Sequence, residues 1–174
     1  GLFDQAFGSV LHELLLVGCY VIFTFFVLSY LDKSEAERIK GENDLIISQQ
    51  KYEVLFRSSA DAIMTVDPPQ WFFTSCNTAT LNMFRAKDEA EFMFKRPYEL
   101  SPEYQPDGKL SMAKSLEMIN KAVNEGSCFF GWTHKRINGE EFPATVLLTK
   151  VNLAGREFVQ ATVRDITEHK KLEE

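Results

Sequence analysis

Few residues in this chain are able to do chemistry, and they are scattered. There are three histidines, His12, His134 and His169, and three cysteines, Cys19, Cys76 and Cys128. No cysteine pair has CxxC spacing, and no HExxH or paired-histidine spacing points to a metal. A free thiol behaves as a small hydrophobe, so all three cysteines read as reduced and buried. No glycine-rich run leads into Lys-Ser or Lys-Thr, so a phosphate-binding loop is absent. The carboxylates are dispersed, and none pair as acid and base in sequence. His12 flanks an apolar run. His134 stands beside Lys135 and Arg136, which places it on an exposed or outer sheet face. The run Glu168-His169-Lys170-Lys171 reads as ordinary surface and lacks the His-Glu-Leu-Arg-like box of a phosphoacceptor. No catalytic constellation emerges, so the chain is expected not to be an enzyme.

The elements that position these groups begin with the chain's bounds. A length of 174 residues allows one domain and an appendage. Net charge is −6 and the Lys and Arg residues form no stripe, so nucleic acid is not an expected partner. Fifteen phenylalanines supply a sizeable aromatic core.

The segment Leu14 to Leu31 carries no charge and is apolar all round. About 18 residues is near the minimum for crossing a bilayer. Lys33, Arg38 and Lys40 follow it, and no Lys or Arg precedes it. This asymmetry puts the remainder of the chain on the cytoplasmic side of a plasma or bacterial inner membrane. A secretory signal is disfavoured, because neither a basic leader nor a small-residue cleavage site is present. The competing reading is a packing helix in a soluble bundle. Residues 1–31 therefore form the membrane segment with its flank, and 32–50 form a linker helix. Ile39 and Ile46, and Leu45 and Tyr52, are seven apart, an imperfect heptad that suits pairing in a homodimer.

Residues 51–167 alternate as a mixed domain. Ala62 to Val66 and Trp71 to Cys76 read as strands separated by Asp67-Pro68-Pro69. Asn77 suits the N-cap of a helix through Phe84, and Lys87 to Phe94 reads as a further short helix. Met112, Leu116, Ile119 and Val123 share one face of a helix from Ser111 to Glu125, with Gly126 at its C′ position. Asn138-Gly139 then marks a type I′ hairpin between two β runs, and Glu157 to Val163 is a third. Residues 168–174 begin an outgoing helix.

Several pieces of this order are familiar. A Trp-containing strand, the Asn-Gly turn, Glu141-Phe142-Pro143 and the ending Arg164-Asp165-Ile166-Thr167 together resemble a PAS domain of the S-box sensory type. Tyr52-Glu53-Val54-Leu55-Phe56, Ala60-Asp61-Ala62-Ile63 and Asn77-Thr78-Ala79 with Met83-Phe84 resemble its earlier half. The resemblance implies an α+β PAS fold, a five-stranded antiparallel sheet with helices packed on one face, preceded here by the long N-terminal helix.

It also implies a sensor or relay in a receptor whose output domain, a histidine kinase, cyclic-di-nucleotide enzyme or chemoreceptor, lies outside this chain. A photoactive flavin version carries Asn-Cys-Arg-Phe-Leu; here Cys76 precedes Asn77 and Thr78 follows it, which disfavours flavin. The helix from Ser111 has no histidine, which disfavours haem. Two readings of the interior stand: a plain core, or a pocket for a small apolar ligand. The pocket candidates are Met64, Cys76, Met83, Phe84, Phe92, Phe94, Met118, Ile119, Trp132, Val146, Leu148 and Val163. The family's relay residues correspond to Asp165, which would pair near the incoming helix, and Thr167, which would cap the outgoing one.

Overall fold

A single unbroken helix, α1, spans Leu2–Ser58. No proline interrupts it, and Gly41 is tolerated within it. The computed structural model describes residues 2–173, with side chains described for 14–172. The side chains of the Asp4, His12 and Glu13 flank thus lie outside the described residues. The chain divides into two units, Gly1–Tyr52 and Glu53–Glu174.

In the first unit, an 18-residue stretch of mean hydropathy 2.4 has none of its surface buried. It is long and apolar enough to cross a membrane. Cys19 is exposed on this helix, against the expectation that all three cysteines are buried; Cys76 and Cys128 are buried. A lone helix has no interior in which to hide a thiol.

The second unit is built on five strands: β1 (Ala62–Asp67), β2 (Phe72–Cys76), β3 (Ser127–Lys135), β4 (Glu141–Leu153) and β5 (Arg156–Asp165). They form one antiparallel sheet in the order β2-β1-β5-β4-β3. Period-two alternation turns Met64, Val66, Trp132, Val146, Leu148, Ala161 and Val163 to one face. Helices α2 (Thr78–Phe84), α3 (Glu89–Phe92) and α4 (Ser111–Glu125) bring Phe84, Phe92, Ile119 and Ala122 into the same core. A 3-10 turn at Pro97–Leu100 adds Leu100, and α5 (Thr167–Glu173) leaves the end of β5.

Four local expectations change. Among the described residues Asn138 is not in the positive-φ set, whereas Gly139 has φ of 89°. The Gly139 N–H donates to the Arg136 carbonyl and the Arg136 N–H to the Glu140 carbonyl. The hairpin therefore closes on a turn at Ile137–Asn138 followed by a left-handed glycine, instead of a type I′ pair. The short helix predicted to Phe94 shrinks to Glu89–Phe92, capped by Asp88 Oδ1 accepting from the Glu91 N–H.

Phe94 then adopts φ of 64° and is 76% exposed. Its N–H and the Lys95 carbonyl bond to Phe73, covering the free edge of β2, and this turns the ring outward. On α4 the buried side is Ser111, Ser115, Ile119 and Ala122, with Met112 and Leu116 exposed. Small serines allow close approach there. The Ser111 hydroxyl donates to the Pro102 carbonyl at 2.6 Å and accepts from Gln105 Nε2 at 2.8 Å.

Asn77 holds the start of the domain together. It is fully buried. Its Oδ1 accepts from the Ile63 N–H, the Thr80 N–H and the Thr80 hydroxyl at 3.1, 3.0 and 2.9 Å. Its Nδ2 donates to the Phe56 and Asp61 carbonyls at 3.1 and 2.9 Å. One amide thereby caps α2, pins β1 and takes up a carbonyl in the last turn of α1. Asn77→Ala should destabilise the domain by about 3 kcal/mol, the sum of a lost cap and stranded buried partners. Urea unfolding reads this, and a loss under about 1 kcal/mol would show the partners to be resolvated.

Candidate functional site

Between the sheet and α4 lies a cavity of about 40 Å³. Of the residues expected around a pocket, Met64, Ile119, Trp132, Val146, Leu148 and Val163 line it. Cys76, Phe84 and Phe92 are core residues away from its wall, and Met118 packs against the core. Met83 also packs on the core but lines a surface groove near Arg136, while Phe94 faces outward. Sequence reasoning missed Ser115, Phe130, Ala161 and, above all, His134.

His134 corrects the expectation of an exposed or outer-face histidine. It is 6% exposed and on the inner face. Cys128, Trp132 and His134 are two or four residues apart and all buried, whereas Phe129 is exposed. That alternation was readable; the adjoining Lys135 and Arg136 masked it. The imidazole stacks on Phe142 at 5.6 Å and meets the edge of Phe84 at 5.1 Å. Its Nδ1 lies 3.3 Å from the Leu100 carbonyl oxygen, and its buried Nε2 has no partner among the described residues. Burial pushes the imidazole down to about 4, against the upward pull of the Leu100 carbonyl and Asp165.

Trp132 is fixed at both faces. Its Nε1 donates to the Ser101 hydroxyl at 2.9 Å, and the Lys114 ammonium sits 5.5 Å from the ring centre. Ser101 in turn donates to the Pro97 carbonyl at 2.8 Å. Gln105 fastens the same loop to the free edge of β3. Its Oε1 accepts from the Thr133 N–H at 2.9 Å, and its Nε2 donates to the Thr133 carbonyl at 3.1 Å. An amide side chain thus completes an edge strand as another strand would.

Two residues beyond His134, Arg136 leads from the cavity to the exit of the domain. Its guanidinium donates to the Met83 carbonyl and to Asp165 Oδ2, the latter at 2.7 Å, and stacks 4.1 Å over Phe142. Asp165 Oδ1 accepts from the Thr167 N–H at 2.9 Å and from its hydroxyl at 2.5 Å. Burial would raise the Asp165 carboxyl, but the Thr167 hydroxyl and amide with Arg136 outweigh it and hold the carboxyl below the usual range.

The expected roles therefore shift. Asp165 pairs with the β3–β4 hairpin instead of the incoming helix. Thr167 is the first residue of α5 and is itself held by Asp165; the Ile166 carbonyl accepts the first helical hydrogen bond, from Lys170. At the entrance, Arg57 bonds Glu53 and Glu89, and Asp61 accepts from Arg164 at 3.0 and 2.8 Å. No group of three or more metal-ligating side chains occurs among the described residues. Burial pushes the Cys76 thiol up to about 11, so it is not a thiolate at neutral pH.

The buried histidine makes stability depend on pH. Its folded value of about 4 lies below its ordinary 6.5, so the unfolded chain binds the proton first as pH falls. Stability is full above pH 6.5 and lost between there and pH 4, by about 3 kcal/mol in all. His134→Phe should flatten that interval in urea midpoints measured against pH. An unchanged slope would place the titration elsewhere.

A family profile of the PAS domain matches residues 60–168. No curated protein sequence matches the chain. Solved structures share the fold. A PAS domain from a two-component sensor histidine kinase superposes with TM-score 0.55 at 16% identity, covering 68% of this chain and 96% of that one. The Rhodobacter sphaeroides LOV protein superposes with TM-score 0.54 at 18% identity, covering 67% and 66%. The PAS domain of a LuxR-family transcriptional regulator from Burkholderia thailandensis, in complex with ethanol, superposes with TM-score 0.53 at 18% identity, covering 66% and 96%. Fold, strand order and matched residues agree, and the chain belongs to the PAS domain family.

Proposed function

We propose that this chain is the anchored sensory and relay module of a membrane receptor, in which occupancy of the interior cavity biases the helix that leaves Thr167. One observation carries the reading: β3 holds both His134, in the cavity wall, and the approach to Arg136, whose guanidinium grips the Asp165 carboxylate that fixes Thr167. Movement of the wall is transmitted through covalent neighbours and a charge-assisted hydrogen bond to the start of α5. Such a path acts by biasing a two-state element.

The occupant in this reading is a small, mostly apolar molecule. The fold accommodates flavin in light-oxygen-voltage proteins. A cavity of about 40 Å³ suits far smaller guests than flavin or haem, and Cys76 lacks both the position and the ionisation for a flavin adduct. The module itself catalyses nothing; an output domain such as a histidine kinase, cyclic-di-nucleotide enzyme or chemoreceptor supplies the activity. Residues 14–31 anchor it in a bacterial-type inner membrane, the positive flank keeps the PAS domain in the cytoplasm, and α1 pairs with its copy in a homodimer. Nucleic acid has no part in this reading.

Two outcomes are expected. Alkaline carbonate should leave the chain in the membrane pellet, and an Ile46→Cys variant should cross-link to a dimer under oxidation. Release to the supernatant removes the anchor, and a monomer removes the pairing. For the relay, amide exchange in the full chain in lipid nanodiscs should slow or quicken at residues 166–172 when xenon fills the cavity. Asp165→Asn should abolish that response while leaving xenon uptake intact. An outgoing helix indifferent to xenon in the parent protein would sink the relay.

A further inference from the structure

We propose that His134 is the polar anchor of the cavity and selects a small neutral molecule bearing one hydroxyl donor, in chemistry a short-chain alcohol, with Nε2 as the acceptor. The inference rests on the reading of the cavity as a ligand site and adds what that site recognises.

The tautomer follows from one contact. A carbonyl oxygen only accepts, so the imidazole Nδ1 at 3.3 Å from the Leu100 carbonyl carries the hydrogen. Nε2 then presents a lone pair. That atom is buried and without a partner among the described residues, and its ring lines the cavity. A buried acceptor left unmatched is costly, so a donor is what the site lacks.

The remaining wall narrows the class. The Ser115 hydroxyl donates to the Met112 carbonyl at 2.9 Å, and the Trp132 indole N–H is already given to Ser101. An anionic guest therefore finds no free donor. A cationic guest finds no carboxylate, because no acidic residue lines the cavity. The low proton affinity of the buried ring keeps it an acceptor throughout the neutral range. Met64, Ile119, Val146, Leu148 and Val163 form the rest of the surface and suit an alkyl tail. A water molecule ordinarily needs two to four polar partners, and one strong acceptor in an apolar wall serves it poorly. One hydroxyl on a few carbons matches both halves of the site.

The full chain in lipid nanodiscs, with labelled histidine and labelled methyl groups, tests this with n-propanol and xenon as probes. Xenon should perturb the methyls of Ile119, Leu148 and Val163 and leave the His134 nitrogens unmoved. Propanol should perturb the same methyls and also shift Nε2 toward its hydrogen-bonded value, with Nδ1 unchanged. His134→Phe should weaken propanol binding about tenfold or more and keep xenon binding. Propanol that binds without shifting Nε2 overturns the anchor and leaves the cavity reading standing, and so does undiminished affinity in the variant. If neither probe enters, the cavity reading fails and the anchor with it. The Nε2 shift is read in the parent protein, so the outcome stands even if the variant does not fold.

Discussion

Everything in the domain depends on satisfying buried polar groups where the chain turns from helix into sheet. Asn77 does this at the entrance, where one amide meets five partners drawn from α1, the loop before β1, β1 itself and α2. Its position at the end of β2 is what lets it reach them. With the amide in place, the Ile63 N–H and the carbonyls of Phe56 and Asp61 can leave water without loss. The sheet can then begin immediately under the end of a helix. Gln105 solves the same problem at the opposite edge, by treating Thr133 as a strand partner.

The exit is built on charge. Arg136 is mostly buried yet fully engaged, by a backbone carbonyl, a carboxylate and an aromatic face. Buried ion pairs gain little net stability, because desolvation offsets attraction, but removing one partner strands the other. The Arg136–Asp165 pair is therefore better understood as fixing a register between hairpin and outgoing helix than as a source of stability. The surface pairs Arg38–Glu42 and Lys121–Glu125 are exposed and contribute little. The asymmetry explains why a signal would travel through the exit and not through the solvated faces of the helices.

Much of this was legible before any coordinates. The strand alternation, the N-cap at Asn77, the amphipathic α4 and its closing glycine all rest on local rules, and each element forms where the rule placed it. What escaped was set by distant partners. His134 looked exposed because its sequence neighbours are charged, and only pairing of β3 against Phe142 and Leu148 decides which face it takes. Phe94 looked like core by composition, but covering the β2 edge forces its left-handed backbone. The wrong face of α4 was chosen because large apolar residues outscore serine in any hydrophobic pattern. The sheet instead needed small residues there, with hydroxyls that bond to nearby carbonyls.

The same preference for small residues explains why a cavity persists in a core rich in phenylalanine. At about 24 cal/mol per Å³, a void of this size costs about 1 kcal/mol, which a looser interior would recover by collapsing. Collapse is resisted from three sides. Trp132 is tied through Ser101 to Pro97, Ser115 is tied within α4, and the strands carrying Ala161 and Val163 are locked in register on both edges. Ala161 and Ser115 leave the space, and the rings of Phe130 and Trp132, packed edge to face at 5.8 Å, hold the wall upright. The modest cost of the void is thus smaller than the cost of breaking any one tie. A core so braced keeps its opening in the absence of a guest, and a guest entering it meets a wall whose motion leads directly to Arg136.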